Sequence, residues 1–305
     1  MLPKNILITG GSGFLGRALI KFWLHSGHSI SVLSRDPGKT QKLLGPSVKC
    51  LQKLSDIPKN TRFDAIVNLA GCPIFGGRWT AKCKQQIRSS RVDLTHELLA
   101  FVRELETQPE VLISGSAIGI YGDQGDTVLS EEFGSTSHDF ARQLCLDWER
   151  AALEFTELGI RVCMIRTGLV LDRDGGLLGQ MLPGFKLGLG GRLGNGNQWM
   201  AWIHRQDWVA IADRLLTDSH LSGAFNATAP NPVTNTEFTR LLGNHLNRPT
   251  FMHLPAFLLN SLLGEMSSLM LGSQRVIPKR MLENDFDFQF QDLDSALGQI
   301  LNIQS

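Results

Sequence analysis

The sequence has little net charge, no long apolar run and no paired cysteines, and each absence excludes a class of protein. Its 305 residues carry a formal net charge of +1, which gives no electrostatic reason to expect binding to nucleic acid or to an anionic membrane. No apolar run reaches the roughly 20 residues of a membrane-spanning helix. We therefore expect neither a nucleic-acid partner nor a membrane span, although 42% apolar residues can build a substantial core.

Cysteine and histidine are present, but without the spacing of disulfide frameworks or metal sites. The five cysteines form no C-x-x-C pair, and the eight histidines form no H-x-x-x-H pair. Reduced thiols are typical of the cytosol, and the first predicted strand follows the N-terminus without an apolar leader. The pattern predicts a cytoplasmic protein without a metal site. The cysteines are Cys50, Cys72, Cys83, Cys145 and Cys163.

Tyrosine and one stretch of lysine are also missing. Tyr121 is the only tyrosine, and no lysine occurs between Lys84 and Lys186. Any chemistry that needs a phenolic acid or base must therefore use position 121.

What is present begins with a glycine-rich turn near the N-terminus. Residues 6–8 form a short apolar run that predicts a buried parallel strand. Gly10, Gly13 and Gly16 follow at three-residue intervals, and the apolar pattern over residues 15–24 predicts a helix. Strand, glycine turn and helix N-terminus together form a dinucleotide site, where the pyrophosphate meets backbone N–H groups. A purely structural turn is the alternative interpretation of three spaced glycines.

The end of the second predicted strand, residues 29–33, is where dinucleotide folds contact the adenosine ribose. An acidic residue there accepts from the 2′-hydroxyl of NAD and repels a 2′-phosphate. This chain has Ser34 and then Arg35, whose guanidinium can bind a phosphate in a bidentate manner. Asp36 complicates the assignment because it can pair with Arg35. The pattern favours NADP over NAD, with an ordinary surface arginine as the alternative.

Further strands and helices alternate along the chain, which predicts an α/β fold with a Rossmann-type doubly wound parallel sheet. We assign residues 1–170 to an NADP-binding Rossmann domain, to which 203–228 return, and residues 171–202 and 229–305 to a smaller, helix-rich C-terminal substrate domain. Predicted strands are 6–8, 29–33, 48–51, 64–71, 110–115 and 160–167. Predicted helices include 80–105, 138–158, 177–187, 206–217, 234–246, 254–263 and 273–283.

A series of motifs in this order resembles the atypical extended short-chain dehydrogenases/reductases, in particular the group of epimerase family proteins related to NAD-dependent epimerases and dehydratases. The resemblance covers nearly the whole chain. The motifs are GGSGFLG (10–16), LSR (33–35), VNLAG (67–71), SSR (89–91), DWE (147–149), RTGLVL (166–171), QWMAWIH (198–204) and NATAP (226–230).

The resemblance implies NADP(H) as the cofactor. It carries the cofactor contacts of such proteins over to the glycine turn, to the end of the second strand, to the end of the fourth strand, to the S-R of the following helix and to the valine of R-T-G-x-V. The implied contacts are Gly10, Gly13, Phe14, Leu15, Gly16, Ser34, Arg35, Leu69, Ala70, Gly71, Arg91 and Val170.

The catalytic pair of the wider superfamily is absent. Its active members use a serine together with Tyr and Lys four residues apart on one helix, where Lys lowers the pKa of Tyr. In this chain Ala141 occupies the place of Tyr and Cys145 that of Lys. Ser116 matches the serine after the fifth strand. Ser116 and Tyr121 are thus the candidate catalytic residues, with His204 as a weaker candidate whose alternative role is to cap the next helix.

Three interpretations remain open. In the first, the protein is an epimerase-like or reductase-like enzyme that acts on an unidentified carbonyl compound or nucleotide-sugar-like small molecule. In the second, it binds NADPH without turnover and serves as a regulatory or interaction protein. In the third, the fold has lost its cofactor. Arg192, Trp199 and Trp202 are candidates for lining a substrate cleft, or else for packing between the two halves. The sequence does not indicate the substrate or the oligomeric state.

Overall fold

Seven parallel strands form the central sheet of the computed structural model, which describes residues 2–75, 77–134 and 138–302. The strands in chain order are β1 (Asn5–Thr9), β2 (Ser29–Leu33), β3 (Val48–Leu51), β4 (Ala65–Asn68), β5 (Val111–Ala117), β6 (Val128–Leu129), β7 (Arg161–Thr167), β8 (Leu169–Asp172), β9 (Gly191–Leu193), β10 (Trp199–Met200), β11 (Trp202–His204), β12 (Gly223–Ala227), β13 (Val233–Thr234), β14 (Met252–Leu254) and β15 (Arg275–Val276). The sheet order is β3-β2-β1-β4-β5-β7-β12.

Helices cover both faces of this sheet. They are α1 (Phe14–His25), α2 (Pro37–Leu44), α3 (Ala81–Ser89), α4 (Val92–Arg103), α5 (Phe140–Leu153), α6 (Gly176–Lys186), α7 (Arg205–Thr217), α8 (Asn235–Leu246), α9 (Ala256–Leu263), α10 (Ser268–Leu271), α11 (Lys279–Glu283) and α12 (Leu293–Asn302). The sheet is fully parallel, so its strands need crossover connections, which here run mostly through helices. This arrangement confirms the predicted Rossmann-type fold with its helix-rich C-terminal region.

Alternation along β1 creates the two layers of the core. Ile6 and Ile8 face one side and pack in a cluster with Trp23 of α1 and Trp208 of α7. Leu7 faces the other side and packs in a cluster with residues of α4 and α5. Successive side chains of a strand point to opposite faces, so an all-apolar strand requires a helical layer on each side.

The predicted helix over residues 80–105 is wrong as a single element, because it is divided into α3 and α4. The break lies at Arg91, with φ −116° and ψ −62°. Ser90 Oγ donates to the Ile87 carbonyl at 2.9 Å, and Arg91 Nη1 donates to the same oxygen at 3.1 Å. Side chains that compete for helix carbonyls in this way favour a break in the backbone helix.

The predicted helix over residues 273–283 is also wrong in its first half. Residues 275–276 form β15, which pairs with β6, and only residues 279–283 are helical. Ser273 and Gln274 bond the loop after β5, because Ser273 Oγ donates to Gly125 O at 2.7 Å and Gln274 Nε2 donates to Ile118 O at 3.1 Å. Tertiary hydrogen bonds therefore override the local helical preference.

The second half of the chain has a core of its own, and it also contributes to the main sheet. Trp202, Phe238 and Phe290 belong to a buried cluster formed mainly by α6, α8 and α12. In contrast, β12 pairs with β7 as the seventh strand. The proposed division of the chain into two domains stays a prediction. Among the described residues, no helix has both the length and the apolar character needed to cross a membrane.

Replacing Trp208 tests whether α7 belongs to the main core. Its side chain is fully buried, and Nε1 donates to Thr167 Oγ1 at 3.1 Å. We expect Trp208→Ala to lower the free energy of unfolding by about 3–5 kcal/mol because it leaves a large cavity. Urea denaturation followed by circular dichroism measures this. Leu153→Ala at an exposed site should cost under about 0.5 kcal/mol, and similar losses for both would contradict the assignment.

Candidate functional site

The candidate site lies at the carboxyl ends of β1 and β4, where the chain connections from neighbouring strands run to opposite halves of the sheet. β1 has β2 on one side and β4 on the other, with both pairs parallel. The chain runs from β1 through α1 to β2, and β4 begins the opposite half of the sheet. In such sheets the ligand crevice opens at the carboxyl ends of the strands, at this switch point.

The glycine turn after β1 packs directly against the end of β4. Gly10 has φ +71°, and a Cβ there would lie 2.6 Å from both the carbonyl carbon and the oxygen of Leu69. A Cβ at Gly16 would collide with the Gly10 carbonyl oxygen. Gly13 differs, because its Cβ would meet only the Gly10 oxygen, at 3.1 Å. Gly10 and Gly16 are thus required for packing within the protein, whereas Gly13 borders open space.

The N-terminus of α1 presents free backbone donors to the crevice. α1 begins at Phe14, its N-cap residue Gly13 makes no side-chain cap bond, and the first turn holds no acidic residue. The N–H groups of the first turn, those of Phe14, Leu15 and Gly16, have no partner within the helix. A helix N-terminus of this kind carries partial positive charge and binds anions such as a pyrophosphate.

The end of β2 presents an arginine that its neighbouring aspartate does not neutralise. Asp36 is the N-cap of α2, where Oδ1 accepts from Lys39 N at 2.9 Å. Arg35 is exposed and makes no hydrogen bond or ion pair among the described residues. Ser34 Oγ lies 2.6 Å from Thr40 Oγ1. The Asp36 carboxylate is therefore occupied by the helix, and the Arg35 guanidinium remains available to an anion.

A buried chain of hydrogen bonds runs beneath the crevice from β1 to α4. Thr9 Oγ1 accepts from Ala70 N at 3.1 Å and donates to Asn68 Oδ1 at 2.7 Å. Asn68 Nδ2 donates to Thr95 Oγ1 at 2.8 Å, and Thr95 Oγ1 donates to the Arg91 carbonyl at 2.6 Å. These bonds fix the end of β4 and the start of α4 relative to each other. Sequence reasoning missed Thr9 and Thr95, which no local motif marks.

The Arg91 side chain forms a wall of the crevice beside Gly71. Its Nη2 donates to Cys72 O at 3.0 Å, its guanidinium lies 5.4 Å from the centre of the Trp148 ring, and a Cβ at Gly71 would be 2.6 Å from Cζ of Arg91. Burial lowers the pKa of Arg91, which has no carboxylate partner among the described residues. A largely buried cation without a counter-ion favours the approach of an anion.

The candidate catalytic hydroxyls belong to one buried polar network. Ser116 Oγ donates to Glu149 Oε1 at 2.7 Å, and Glu149 accepts two bonds of 2.9 Å from Nε and Nη2 of Arg166. Tyr121 Oη donates to Asn226 Oδ1 at 2.7 Å and accepts from Arg166 Nη1 at 3.0 Å. Both hydroxyls thus already have partners in the protein. Their catalytic assignment stays a prediction.

Burial controls the ionisation of the groups around this network. Desolvation raises the pKa of Tyr121 above its ordinary value, against the lowering effect of Arg166, so the phenol remains neutral at physiological pH. Desolvation and the nearby Glu149 raise the pKa of Cys145 to about 12, so its thiol is not a nucleophile. Arg166 stays charged because its pKa is raised by the bonds to Glu149, which exceed the effect of its burial.

A cavity of about 460 Å³ opens beside Ala141, where the sequence comparison with the superfamily motif predicts the place of its tyrosine. Gly119 and Gly122 of the loop after β5 line one side, and residues of α10 line another. Its location at the carboxyl end of the sheet suits a small substrate. A second cavity of about 450 Å³, beside His28 and Lys49, lies near the amino ends of the strands, away from the crevice.

Residues from the second half close one side of the crevice. A Cβ at Gly175, in the turn after β8, would lie 2.5 Å from the Phe14 ring, so this turn packs on the start of α1. The guanidinium of Arg205 lies 5.1 Å from the centre of the same ring. Val170 in β8 is buried close to this contact. Its backbone oxygen lies beside Gly176, which also borders the Phe14 ring. The Phe14 ring was not predicted from the sequence to make this contact.

Of the other cleft candidates, His204 and Trp202 are buried packing residues, whereas Trp199 and Arg192 are not. His204 is buried, its Nδ1 accepts from Gln206 N at 3.1 Å as the cap of α7, and Nε2 lies 3.0 Å from Gln299 Oε1. Trp202 is fully buried and donates to Asn231 O at 3.0 Å. Trp199 is half-buried and donates to Asp126 at 2.8 Å, while Arg192 is exposed. The part of the chain described here contains no group of three metal-ligating side chains.

Replacing Gly13 separates ligand binding from folding. A methyl group at position 13 meets only the Gly10 oxygen in the protein but projects into the space where a pyrophosphate would lie. We expect Gly13→Ala to weaken NADPH binding at least about a hundredfold, as measured by calorimetry, and to change the melting temperature of the free protein by only a few degrees. Gly16→Ala, which collides with the Gly10 carbonyl, is the control that should lose stability. A large loss of stability in Gly13→Ala would contradict the ligand role.

Comparisons with known proteins agree with this geometry. A model of the NAD dependent epimerase/dehydratase family matches residues 6–227, and a model of a domain of unknown function matches residues 254–300. The epimerase family protein YfhF of Bacillus subtilis is 36% identical over 301 residues, covering 97% of this chain and 98% of the relative. A homologue of Arabidopsis thaliana designated chloroplastic is 35% identical, covering 97% and 86%, so the cytoplasmic location stays a prediction.

A solved structure is similar over the same length. The crystal structure of the human epimerase family protein SDR39U1 with NADPH matches this chain with a TM-score of 0.87 and 30% identity, covering 98% of this chain and 100% of that one. The resemblance inferred from the motifs is confirmed: this chain belongs to the NAD dependent epimerase/dehydratase family.

Proposed function

We propose that this protein binds NADP(H) in preference to NAD(H) and uses it to reduce the carbonyl group of a small molecule. The observation that carries the cofactor assignment is the unpaired guanidinium of Arg35 beside an aspartate already used as a helix cap. A carboxylate free at this position would repel a 2′-phosphate, and here that carboxylate is occupied. The similar human protein, crystallised with NADPH, supports the same assignment.

The residues along the crevice fit a dinucleotide from end to end. Arg35 and Ser34 would hold the 2′-phosphate, and the first-turn N–H groups of α1 would hold the pyrophosphate. Leu69, Ala70 and Gly71 would line the path across the end of β4, with Arg91 supplying positive charge and Val170 closing the far side. The absence of a side chain at Gly13 leaves room for this passage, and at Gly71 it leaves room for the Arg91 guanidinium.

The reduction needs a hydride, which NADPH would provide when bound, and a proton, which in this proposal comes from solvent water that enters the cavity beside Ala141. α5 presents Ala141 and Cys145 in place of a hydroxyl and an ammonium, and the Cys145 thiol holds its proton at any physiological pH. The cavity beside Ala141 would place the carbonyl group. We expect slow reduction, because no lysine there lowers the pKa of a proton donor.

We further propose that Ser116 and Tyr121 hold the floor of this cavity and do not exchange protons with the substrate. Both hydroxyls donate to protein acceptors, and desolvation raises the pKa of Tyr121, which makes the phenol a poor base at neutral pH. Arg166 connects the two, since it bonds both Glu149 and Tyr121. Their role in this proposal is to fix the loop after β5.

A second candidate function is NADPH binding without turnover, as a regulatory or interaction protein. The observation that favours it is the lack of any tyrosine or lysine on α5, combined with the occupied hydroxyls of Ser116 and Tyr121. The two functions are distinguished by a panel of carbonyl compounds and nucleotide sugars. Oxidation of NADPH with any of them supports reduction, whereas tight binding without oxidation supports the regulatory function.

The cofactor assignment is tested at Arg35. Charge-assisted bonds to a 2′-phosphate contribute about 1.5–3 kcal/mol. Arg35→Ala should therefore weaken NADPH binding by roughly ten- to a hundredfold and leave NADH nearly unchanged, as measured by titration calorimetry. Lys42→Ala, on the helix α2 that follows Arg35, is the matched control because it removes the same charge at a distance. Equal losses for both nucleotides in Arg35→Ala would refute the preference for NADP(H).

The role of Tyr121 is tested by removing its hydroxyl. Tyr121→Phe leaves Asn226 Oδ1 without its donor in a buried site, so we expect the free energy of unfolding to fall by about 1–3 kcal/mol. NADPH affinity should change by less than about twofold. Ser116→Ala should behave similarly because it leaves Glu149 with one bond fewer. Unchanged stability combined with loss of single-turnover hydride transfer would instead make Tyr121 the proton donor.

A further inference from the structure

The cavity beside Ala141 has a lining that contains carboxylates and no cation. Asp123, Asp139 and Glu265 belong to this lining, and a carboxylate can only accept hydrogen bonds. The described residues that line the cavity include no lysine, arginine or histidine. A ligand in this cavity therefore meets acceptors and negative charge before it meets any cation.

Gln274 presents a further acceptor to the same cavity, because the rest of its amide is already used. Its Nε2 donates to Ile118 O and to Gly122 O, both at 3.1 Å. These two carbonyl groups fix the orientation of the amide, since the opposite orientation would set Oε1 against two other oxygens. Within the described part of the chain, Oε1 itself accepts no bond. What Gln274 offers to a ligand is thus an oxygen.

The hydroxyl groups of the lining also have their hydrogens engaged by the protein. Ser268 Oγ donates to Glu265 O at 2.8 Å. Ser267 Oγ lies 2.6 Å from both Gly264 O and Asn260 Oδ1, and its single hydrogen is donated to these acceptors. Among the described lining residues, Asn260 Nδ2 is the side-chain donor that remains. The lining is therefore rich in acceptors and poor in donors.

Charges next to the cavity do not reverse this pattern. Lys84 is paired with Glu265, so this cation is already neutralised by one of the carboxylates. Asp123 Oδ1 accepts from Gly125 N at 3.1 Å and from Ser273 N at 3.2 Å. Its Oδ2 has no partner, and its charge has no cation beside it, within the residues that the structure describes. An exposed carboxylate oxygen at the cavity is therefore available to a donor.

A neighbouring cavity of about 580 Å³ holds one arginine and does not supply the missing positive charge. Leu271 lines both cavities, and Arg192 is the only arginine or lysine among the described residues of the second one. Arg192 is exposed, and His253 Nε2 lies 2.7 Å from Gly194 O. A single exposed arginine that is screened by water holds a diphosphate weakly.

We propose that the substrate reduced in the cavity beside Ala141 is a small carbonyl compound that is rich in hydroxyl or amino groups and carries no phosphate or carboxylate. This inference rests on the proposed reduction by NADPH. The hydroxyl or amino groups of such a compound would donate to Gln274 Oε1 and to the free oxygen of Asp123. A phosphate would meet no cation in the lining and would be repelled by its carboxylates.

Binding of matched sugars to the NADPH-loaded protein tests this substrate class. The probes are glyceraldehyde, xylulose and fructose, each compared with its terminal phosphate ester, together with fructosamine and UDP-glucose. Calorimetry should show that each phosphate ester binds at least about tenfold more weakly than the free sugar. UDP-glucose should bind no more tightly than fructose. Fructosamine that binds more tightly than fructose would identify amino groups as the donors, and equal binding would identify hydroxyl groups.

NADPH absorbance, followed in the same mixtures, separates the failure of this inference from the failure of the proposed reduction. Preferred binding of free sugars without NADPH oxidation would support the ligand class and refute the reduction. Preferred oxidation with phosphate esters or UDP-glucose would support the reduction and overturn the ligand class. The absence of any sugar binding at about 50 mM would also overturn it.

Two variants of the lining give an independent test. Ser268→Lys places a cation at an exposed position of the lining, and should strengthen the binding of the phosphate esters at least about tenfold and change that of fructose less than about twofold. Asp123→Asn keeps Oδ1 for its two backbone donors and should weaken fructosamine about tenfold relative to fructose.

The matched control adds the same charge outside the cavity. Ser219→Lys, at an exposed position that does not line it, should leave every affinity unchanged. Melting temperatures of the three variants within a few degrees of the wild type would show that each is folded. An unchanged affinity of Ser268→Lys for the phosphate esters, or an equal gain in Ser219→Lys, would overturn the assignment of the sugar site to this cavity.

Discussion

The close approach of two backbones, the Gly10 turn and the end of β4 at Leu69, is the constraint on which the rest of the site depends. A Cβ at position 10 would lie 2.6 Å from the Leu69 carbonyl, so no side chain fits between the two segments. This contact sets α1 at the carboxyl edge of the sheet with its N-terminus directed across the crevice. The threonine of β1 completes the contact by accepting from Ala70 N. Gly10 is therefore required for the packing of the turn on β4, and this packing positions the ligand site.

A second constraint joins the two halves of the molecule. Glu149 on α5 and Arg166 on β7 form a buried pair with two bonds of 2.9 Å, and Arg166 extends to Tyr121 and the Glu131 carbonyl. Buried charges are costly unless every partner is present. The network therefore favours one arrangement of the loop after β5. It also fixes the segment around β15, because Asn226 Nδ2 donates to Ile277 O at 3.0 Å. The cavity beside Ala141, which is bounded by the loop after β5 and by the segment around β15, therefore has a fixed shape.

The sequence was sufficient for those features that depend on short-range chemistry. β2 and β3 have the predicted bounds, and α8 fills the helix predicted over residues 234–246, with Thr234 as its N-cap accepting from Glu237 N. The break at Arg91 was not predictable, because it depends on a carbonyl–guanidinium contact and on Thr95. β14 was missed because a three-residue strand gives no periodic signal. The partners of Ser116 and Tyr121 come from positions 33 and 105 residues away, and no spacing rule reaches so far.

α5 carries no Tyr or Lys, and its buried residues determine the charge beside the cavity. Ala141 opens a cavity, and Cys145 is a small, buried thiol that carries no charge. Arg166 on β7 and Arg91 at the start of α4 are both close enough to oppose part of the rise in the pKa of the Cys145 thiol. The carbonyl of Arg91 accepts from Thr95, its guanidinium donates to Cys72 O, and the Trp148 ring lies beside it. A guanidinium held this way can bind an anion but cannot take up or release a proton, since arginine remains charged even when burial lowers its pKa. The crevice therefore has the means to bind a dinucleotide, while α5 carries neither a tyrosine nor a lysine.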